Sequence, residues 1–310
     1  MKKIIIFLTA FFLAVALGLI AAPAGAVASD QLSAVPADAQ WALYIDVQRL
    51  TSSAMFKALS GENEMTKIQG KADEFFGKLR IDPKKDLKGV TVFGRGKRDE
   101  DAVVALSGKF DRAHLTGLIK AETSHKEIPY GKYTIYCWGS DEFGAFADDN
   151  LIVLGENEQT LKSALDALEG KKRDAAPPLL ATVLKESPNA IMVFGVNNIS
   201  GMLGEHESPV ILSKMKGAAG SIAESGENLS FQVNISAESA QVAKDVEQAI
   251  RGLIAIANLQ LKESDAQAFA QAVRIAVDGE SVRINAAYPM SKLLGFIHGV
   301  HGKAKDPSSY

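Results

Sequence analysis

One pair of side chains has the spacing of a catalytic nucleophile and its base. Ser213 and Lys216 form a Ser-x-x-Lys sequence, and one helical turn between them would place the lysine amine beside the serine hydroxyl, where it can remove the hydroxyl proton. Enzymes that use this pair also carry a Lys-Thr-Gly sequence, which occurs nowhere in this chain. The pattern therefore favours an exposed basic helix face, and we assign no catalytic residue.

Two histidines have a spacing that suits a metal site. His298 and His301 are three residues apart near the C-terminus, so a helix would place both imidazoles along one edge. A metal site needs at least a third ligand, and Asp306 is the only acidic residue nearby. A solvated tail explains these residues better, so we predict neither a metal nor a cofactor.

Aromatic residues cluster around the single cysteine. Tyr130, Tyr133, Tyr136 and Trp138 surround Cys137. In a strand, Tyr136 and Trp138 would share one face while Cys137 points to the other. Such a stripe suits contact with a ligand or partner when it is exposed, and a packed sheet face when it is buried. The thiol is either a small core residue or a reactive group, and one cysteine can form no internal disulfide.

Two further segments are more apolar than a single packing face requires. The predicted helix over residues 242–261 has an apolar stripe, which Ile256, Leu259 and Leu261 widen. Residues 293–297 near the C-terminus are also apolar. Either segment could line a groove between sheet and helices or form a dimer contact. The sequence thus predicts a ligand or partner surface that uses Tyr133, Tyr136, Trp138, Leu259 and Phe296.

The composition and the missing motifs argue against several function classes. A formal net charge of −3, from 34 basic and 37 acidic residues, gives no electrostatic footprint for nucleic acid. No Gly-x-Ser-x-Gly or His-Glu-x-x-His sequence is present, which argues against the common esterase and zinc-protease sites. The nearest approach to a phosphate loop, residues 89–96, is filled with strand-forming residues, so its backbone would not cradle a phosphate.

The first 26 residues have the pattern of a secretory signal peptide. Lys2 and Lys3 precede an uncharged, almost wholly apolar run over residues 4–22, and small residues around Ala26 suit signal-peptidase cleavage. The run is also just long enough to span a bilayer, so an uncleaved N-terminal anchor is the alternative. We expect a periplasmic or secreted protein, with membrane contact only through this segment if it is retained.

The order of the predicted elements indicates an α+β protein with an internal duplication. Strands joined by hairpins and separated by helices are typical of mostly antiparallel sheets with helices packed on one face. The order strand, helix, strand, helix, hairpin, helix recurs after a polar, proline-bearing stretch, so we predict two similar halves, each with such a sheet. The expected boundaries are a signal peptide at 1–26, a first half at 27–170, a linker at 171–187, a second half at 188–302 and a flexible tail at 303–310.

Three stretches carry a resemblance to other proteins. Val35-Pro36-Ala37-Asp38, residues 42–47 and the later stretch 81–87 resemble exported bacterial proteins of unknown function that have a signal peptide and repeated α+β halves. The resemblance implies the same architecture for most of the mature chain. Its motifs are strand and turn signals, so it carries over no functional residue.

Taken together, these features favour an exported, non-catalytic binding or envelope-associated interaction protein. Its partner would be a protein or a hydrophobic ligand of the cell envelope, held on a sheet surface or in a groove between sheet and helices. Two alternatives stay open. One is a periplasmic carrier of a lipid or another hydrophobic ligand, and the other is a divergent envelope hydrolase whose residues meet only in the folded chain.

Overall fold

The architecture comes from a computed structural model of the chain. The structure describes residues 32–59, 63–96, 101–139, 141–170, 178–197, 199, 210–260 and 264–292. The predicted signal peptide at 1–26 and the predicted tail at 303–310 lie outside the described residues, as do His298, His301 and Phe296.

Strands and helices alternate in blocks along the chain. The strands are β1 (Trp41–Asp46), β2 (Leu87–Gly94), β3 (Val103–Gly108), β4 (Lys126–Tyr130), β5 (Tyr133–Trp138), β6 (Glu142–Asp148), β7 (Leu151–Gly155), β8 (Ala190–Val196), β9 (Met215–Ser225), β10 (Asn228–Ala237), β11 (Arg274–Asp278) and β12 (Ser281–Pro289). The helices are α1 (Val47–Ser52), α2 (Ala54–Leu59), α3 (Asn63–Lys78), α4 (Arg112–Lys120), α5 (Glu158–Leu168), α6 (Pro178–Glu186), α7 (Val210–Ser213), α8 (Ala240–Gln260) and α9 (Ser264–Ala272).

All the strands belong to one 12-stranded sheet, in the order β11-β12-β10-β9-β8-β1-β2-β3-β7-β6-β5-β4. Each neighbouring pair is antiparallel. The strands of the two predicted halves meet where β1 pairs with β8, so that Ala42 lies opposite Phe93 on one side and Gly195 on the other. The prediction of an α+β protein with antiparallel strands is confirmed, but one continuous sheet replaces the two separate ones that we expected.

The central strands bury both of their faces. In β1, Leu43 and Ile45 pack into one apolar cluster, while the alternate residues Ala42 and Tyr44 pack into another on the opposite side. We call these sides the first face and the second face. The prediction that helices cover only one face is therefore wrong, because a strand that is apolar on both sides needs a cover on both.

Helices supply these covers in two layers. On the first face, Phe76 of α3 and Leu115 of α4 pack over the first-half strands, and Val246 of α8 packs over β10 to β12. On the second face, Leu161 of α5 and Val183 of α6 pack over the centre. On that face β10 carries polar side chains instead, as the alternation in residues 230–236 predicts, and the facing residues of β11 and β12 are exposed.

Local capping signals fix where two of these helices begin. The Asp111 carboxylate accepts a hydrogen bond of 2.9 Å from the His114 N–H at the start of α4. Asn157 accepts bonds from the N–H groups of Gln159 and Thr160 at the start of α5. Both residues are of types that favour the N-cap position, because short polar side chains can satisfy the free N–H groups of a first helical turn.

Three elements add to the sequence prediction or depart from it. The Ser213–Lys216 pattern favoured a helix face, but Lys216 lies in the long strand β9. The glycines and alanines of β9 have low strand propensity, so its pairing with β8 and β10 is what makes it a strand. β4 contains Pro129 and pairs with β5 alone, which suits an edge strand. α6 occupies residues of the predicted linker at 171–187, and its Val183 is fully buried.

A buried carboxylate links β9 to the start of α2. One oxygen of Glu224 accepts a hydrogen bond from the Ala54 N–H, and its Oε2 is buried with no hydrogen-bond partner among the described residues. Burial raises the pKa of Glu224, and the bond from Ala54 and the charge of Lys57 oppose the rise. The folded state therefore binds a proton here more readily than the unfolded chain does.

Replacing Glu224 with glutamine is expected to stabilise the protein at neutral pH. The amide oxygen can keep the bond from Ala54, while the desolvated charge is removed. Because the pKa of Glu224 is raised in the folded state, its charge lowers stability only at pH values above the pKa of an unfolded glutamate, about 4.3. Urea unfolding at pH 4.5 and pH 7.5 should show a larger advantage of Glu224→Gln over wild type at the higher pH. An advantage that grows toward low pH would contradict this account.

Candidate functional site

An apolar cavity of about 850 Å³ lies on the first face, between the sheet and helices α3 and α4. Its volume is within the range of small-molecule sites in proteins, about 300–1,000 Å³. The floor comes from strands β3, β5, β6 and β7, and the walls come from the two helices. The apolar lining side chains are Phe75, Leu79, Ile81, Leu106, Leu115, Leu118, Ile119, Tyr136, Trp138, Phe146, Ile152 and Leu154.

Strand alternation places the floor residues. Tyr136 and Trp138 of β5 lie two residues apart and face the same side, and Leu106 of β3 and Ile152 of β7 extend this surface across neighbouring strands. The rings of Tyr136 and Phe146 meet edge to face, with centroids 6.3 Å apart. This geometry is favourable for aromatic pairs, so the floor is a packed aromatic and aliphatic layer.

The absence of a side chain at Gly144 leaves space for Trp138 and Leu154 in the cavity floor. A Cβ atom at this position would lie 2.8 Å from Cη2 of Trp138 and 2.9 Å from Cδ2 of Leu154, which is closer than carbon atoms pack. The indole therefore lies directly against the backbone of β6. Any side chain at Gly144 would push the ring up into the cavity.

Charged residues surround the mouth, and one leucine is exposed there. Lys71, Glu74 and Lys78 of α3 line the cavity edge, with Lys78 Nζ 2.9 Å from Glu74 Oε1, and Glu122 lines it just beyond α4. Leu118 of α4 also lines the cavity and keeps 41% of its surface exposed. The opening is thus apolar inside and charged at its rim, which is the arrangement expected for an amphiphilic ligand.

One buried carboxylate shares the face that forms the floor. Glu142 begins β6 directly opposite Trp138, only 3% of its surface is exposed, and its Oε1 has no hydrogen-bond partner among the described residues. Burial raises the pKa of Glu142. Glu142 is not itself among the residues that line the cavity.

The lining gives little support to bond-breaking chemistry. The described residues around the cavity include no serine, threonine, cysteine or histidine, so this lining lacks the common pairing of a hydroxyl or thiol nucleophile with a histidine base. No group of three or more metal-ligating side chains occurs in the described part of the chain. The cavity is equipped to hold a molecule by apolar contact.

A second, polar groove of about 480 Å³ lies on the second face of β9, β10 and β12. The Ser221 hydroxyl donates to the Ser187 hydroxyl at 2.8 Å, and Ser187 in turn donates to Oε1 of Gln232 at 3.4 Å. The Gln232 amide donates to Glu186 at 2.9 Å. These polar groups already form hydrogen bonds with one another, so they need no ligand to satisfy them. The groove is therefore a weaker candidate site than the apolar cavity.

The structure separates the predicted aromatic site residues. Tyr136 and Trp138 lie buried on the first face and line the cavity, whereas Tyr133 is buried on the second face. Leu259 belongs to the last turn of α8, and Phe296 lies outside the described residues. Sequence reasoning missed the α3 and α4 walls of the cavity. The apolar faces of the two helices were the only available signal, and such faces usually pack a core.

The structure does not support a reactive role for the Ser213–Lys216 pair or for the Cys137 thiol. Ser213 ends α7 and Lys216 lies in β9, so no helical turn joins them, and Lys216 Nζ is 2.8 Å from Glu280 Oε2. Cys137 is partly buried in β5, and burial raises the pKa of its thiol. A raised pKa keeps the sulfur protonated and poorly nucleophilic at neutral pH.

Comparisons with known proteins gave no sequence match and only weak structural similarity. No protein-family model and no curated protein matches this sequence. Solved structures of TP0453 in crystal forms III, IV and I are 11, 10 and 11% identical to it, with TM-scores of 0.47, 0.47 and 0.43. The alignments cover 87, 87 and 88% of this chain and 98, 97 and 98% of the TP0453 chain. In the described part of the chain, no helix is both long enough and apolar enough to cross a membrane.

Proposed function

We propose that this protein binds an apolar or amphiphilic small molecule, such as a lipid-like chain, in the cavity between α3, α4 and the sheet. The observation that carries the proposal is the cavity itself, about 850 Å³ of space lined largely by apolar side chains. Well-packed interiors contain few voids larger than a water molecule. A space of this size beside an otherwise solid core is therefore better explained by an occupant than by loose packing.

The lining also favours one of the sequence hypotheses. A carrier of a hydrophobic ligand needs an apolar interior and an accessible mouth, and the cavity offers both, with Leu118 at the opening. Most hydrolases use a hydroxyl or thiol nucleophile beside a base, and the described lining contains no serine, threonine, cysteine or histidine for such a pair. We therefore propose that the protein is a binding protein of a specific kind, a carrier of a hydrophobic ligand.

Leu118→Asp is expected to weaken binding of the neutral dye N-phenyl-1-naphthylamine about tenfold, or 1.4 kcal/mol. A charge at the mouth must be desolvated when an apolar molecule enters. Fluorescence titration of the purified chain measures the dissociation constant. Because Leu118 is partly exposed, the free energy of unfolding should fall by no more than about 1 kcal/mol.

Leu253→Asp is the matched control for this experiment. Leu253 is an exposed leucine of α8, 66% exposed and remote from the cavity lining. The control should bind the dye within about twofold of wild type, which is less than 0.5 kcal/mol. If wild type fails to bind the dye, or if Leu253→Asp weakens binding as much as Leu118→Asp, the cavity is not the binding site.

The proposal places this binding outside the cytoplasm, on the strength of the signal-peptide pattern at residues 1–26. Fractionation of cells that express the full chain, followed by N-terminal sequencing, tests this. A mature protein in the periplasm or medium that begins near residue 27 would support it. An intact chain found only in the cytoplasm would contradict it.

We also propose that the two halves of the chain are related by duplication. The first four strand positions counted outward from the β1–β8 pair are β1-β2-β3-β7 on one side and β8-β9-β10-β12 on the other. In each half the third strand leads into a helix, and the chain returns to pair with that third strand. Superposition of the equivalent strands in an experimental structure tests the relation, and a failure of these strands to superpose would refute it.

A further inference from the structure

The polar groove on the second face differs from the apolar cavity in its lining. It encloses about 480 Å³, which is within the range of small-molecule sites, about 300–1,000 Å³. The described residues that line it include three serines, two side-chain amides and one arginine, and none of them is acidic. The groove therefore presents hydrogen-bonding groups together with the positive charge of Arg274, on the opposite side of the sheet from the apolar cavity.

Strand register brings polar side chains of the groove into one row across four strands. Each member of the row lies directly opposite the next: Ser221 of β9, Gln232 of β10, Asn285 of β12 and Arg274 of β11. Directly opposed residues project from the same face, and three strand spacings of about 4.8 Å make the row about 14 Å long. The parallel row beside it has only small side chains, those of Ala223, Ser230 and Ala287, which leave an open trough.

At the β9 end of the row, the polar groups satisfy one another. Ser221 is more than nine-tenths buried and begins the hydrogen-bonded chain that leads through Gln232 to Glu186. The Glu186 carboxylate lies outside the lining, and its Oε1 is 4.0 Å from Arg283 Nη2. Because a positive charge already accompanies this carboxylate, the charge of Arg274 at the far end of the row remains uncompensated.

At the β11 end, polar groups of the lining have no protein partner. The side chains of Ser230 and Asn285 make no hydrogen bond within the described part of the chain. Arg274 donates through Nη1 to the backbone carbonyls of Gln271 and Val273, and its Nε and Nη2 are unpaired among the described residues. Nε–H and one Nη2–H are parallel donors on one edge of the guanidinium, and such a pair matches the two oxygens of a carboxylate.

We propose that the groove binds a short peptide by its C-terminal carboxylate, with Arg274 as the carboxylate partner. The peptide lies in the trough over Ala223 and Ala287 and runs from β11 toward β9. Its amide groups exchange hydrogen bonds with Asn285 and Ser230, whose side chains can both donate and accept. Three extended residues span about 10 Å, so a tripeptide fits beside the row. This site does not depend on the proposed function of the apolar cavity.

A matched pair of peptides tests the role of the carboxylate. Acetyl-trialanine with a free C-terminal carboxylate and acetyl-trialanine amide are each titrated into the wild-type chain by isothermal titration calorimetry at pH 7.5. The free acid is expected to bind about tenfold more tightly, because only a carboxylate accepts two charge-assisted bonds from the guanidinium. Equal affinities, tighter binding of the amide, or no binding of either peptide would overturn the proposal. Acetate that binds as tightly as the peptide would overturn the part played by the peptide amides.

Variants of Arg274 locate the preference at its guanidinium. Arg274→Gln should reduce the preference for the free acid about tenfold, and Arg274→Lys about threefold, because lysine keeps the charge but lacks the planar fork. Arg80→Gln is the matched control, since Arg80 is an exposed arginine of the first half that lies outside the groove lining. If Arg274→Gln keeps the preference, or if Arg80→Gln loses it to the same extent, the carboxylate binds elsewhere and the proposal fails.

Ala287→Leu tests whether the peptide occupies the trough. Ala287 is exposed, so a leucine there fills the trough and leaves the core unchanged. The affinities of both peptides should fall at least about tenfold, while the urea midpoint and the binding of N-phenyl-1-naphthylamine on the other face stay the same. Peptide affinity that survives Ala287→Leu would overturn the proposal. Failure of the wild-type chain to bind the dye would refute the proposed function of the apolar cavity and leave the peptide result to decide this one.

Discussion

Arg49→Ala is expected to lower the free energy of unfolding by about 3 kcal/mol, because it breaks a buried set of charged hydrogen bonds. Arg49 lies in α1 and is only 4% exposed. Its Nη1 donates to the carbonyl oxygens of Pro188 and Ala190 at 2.8 and 3.1 Å, and its Nε is 3.4 Å from Asp46 Oδ2. These contacts join the first-half helix to the start of β8, beside the β1–β8 pair that unites the sheet.

The loss should depend on pH in a defined direction. Burial raises the pKa of Asp46, while its hydrogen bond from the Arg49 N–H and the charge of Arg49 oppose the rise. Without the guanidinium, the pKa of Asp46 in the folded state should lie further above its pKa in the unfolded chain. The charged carboxylate then lowers the free energy of unfolding at pH values above the unfolded pKa. Urea unfolding should therefore show a smaller loss for Arg49→Ala at pH 4 than at pH 7.5.

Two matched variants give this experiment its controls. Arg49→Lys keeps a positive charge with fewer donors, and we expect about half of the loss. Arg251→Ala removes an exposed arginine paired with Glu247 on α8 and should cost less than about 1 kcal/mol. If the loss at Arg49 were the same at both pH values, truncation of its alkyl chain rather than its charge would be the cause.

Phe76→Ala is expected to cost about 3–5 kcal/mol, as truncations of buried aromatic residues do. Phe76 is among the largest fully buried side chains and anchors α3 to the first face. Its ring lies 5.3 Å from that of Phe75, edge to face. Because α3 forms one wall of the cavity, loss of this anchor should lower the urea midpoint and also weaken binding of N-phenyl-1-naphthylamine.

A substitution at Phe75, next to Phe76, allows the effects on stability and on binding to be distinguished. Phe75 is half-buried and lines the cavity, so Phe75→Ala should cost only about 1–2 kcal/mol of unfolding free energy. The same change should weaken dye binding about tenfold, since it removes lining surface. Dye affinity unchanged in Phe75→Ala would show that this wall of the cavity does not touch the ligand.

Local patterns of the chain predicted much of the secondary structure. Alternation and helical periodicity are properties of short segments, so β1, α4, α5 and the β11–β12 hairpin follow from their own residues. The caps at Asp111 and Asn157 follow from local residues for the same reason, since each acts on N–H groups two or three residues away. Strand β9 was missed because its small residues carry no such local preference, and its neighbours in the sheet come from elsewhere in the chain.

The candidate site was only partly visible in the sequence. Alternation along β5 showed that Tyr136 and Trp138 share a face, and the structure places both on the cavity floor. The same alternation did not indicate whether that face is open, packed or lines a cavity, because the answer depends on α3 and α4. The sequence did not indicate that Glu142 is buried, since one acidic residue beside a turn is usually exposed.

What the sequence determined by itself is therefore local: most strands and helices, two helix caps, the single cysteine and the apolar signal-like start. The tertiary structure decided three further things. It joined both predicted halves into one sheet through β1 and β8, covered both faces with helices, and left a cavity between the sheet and helices α3 and α4. Each of these depends on which segments meet across long stretches of the chain, and no local pattern encodes that pairing.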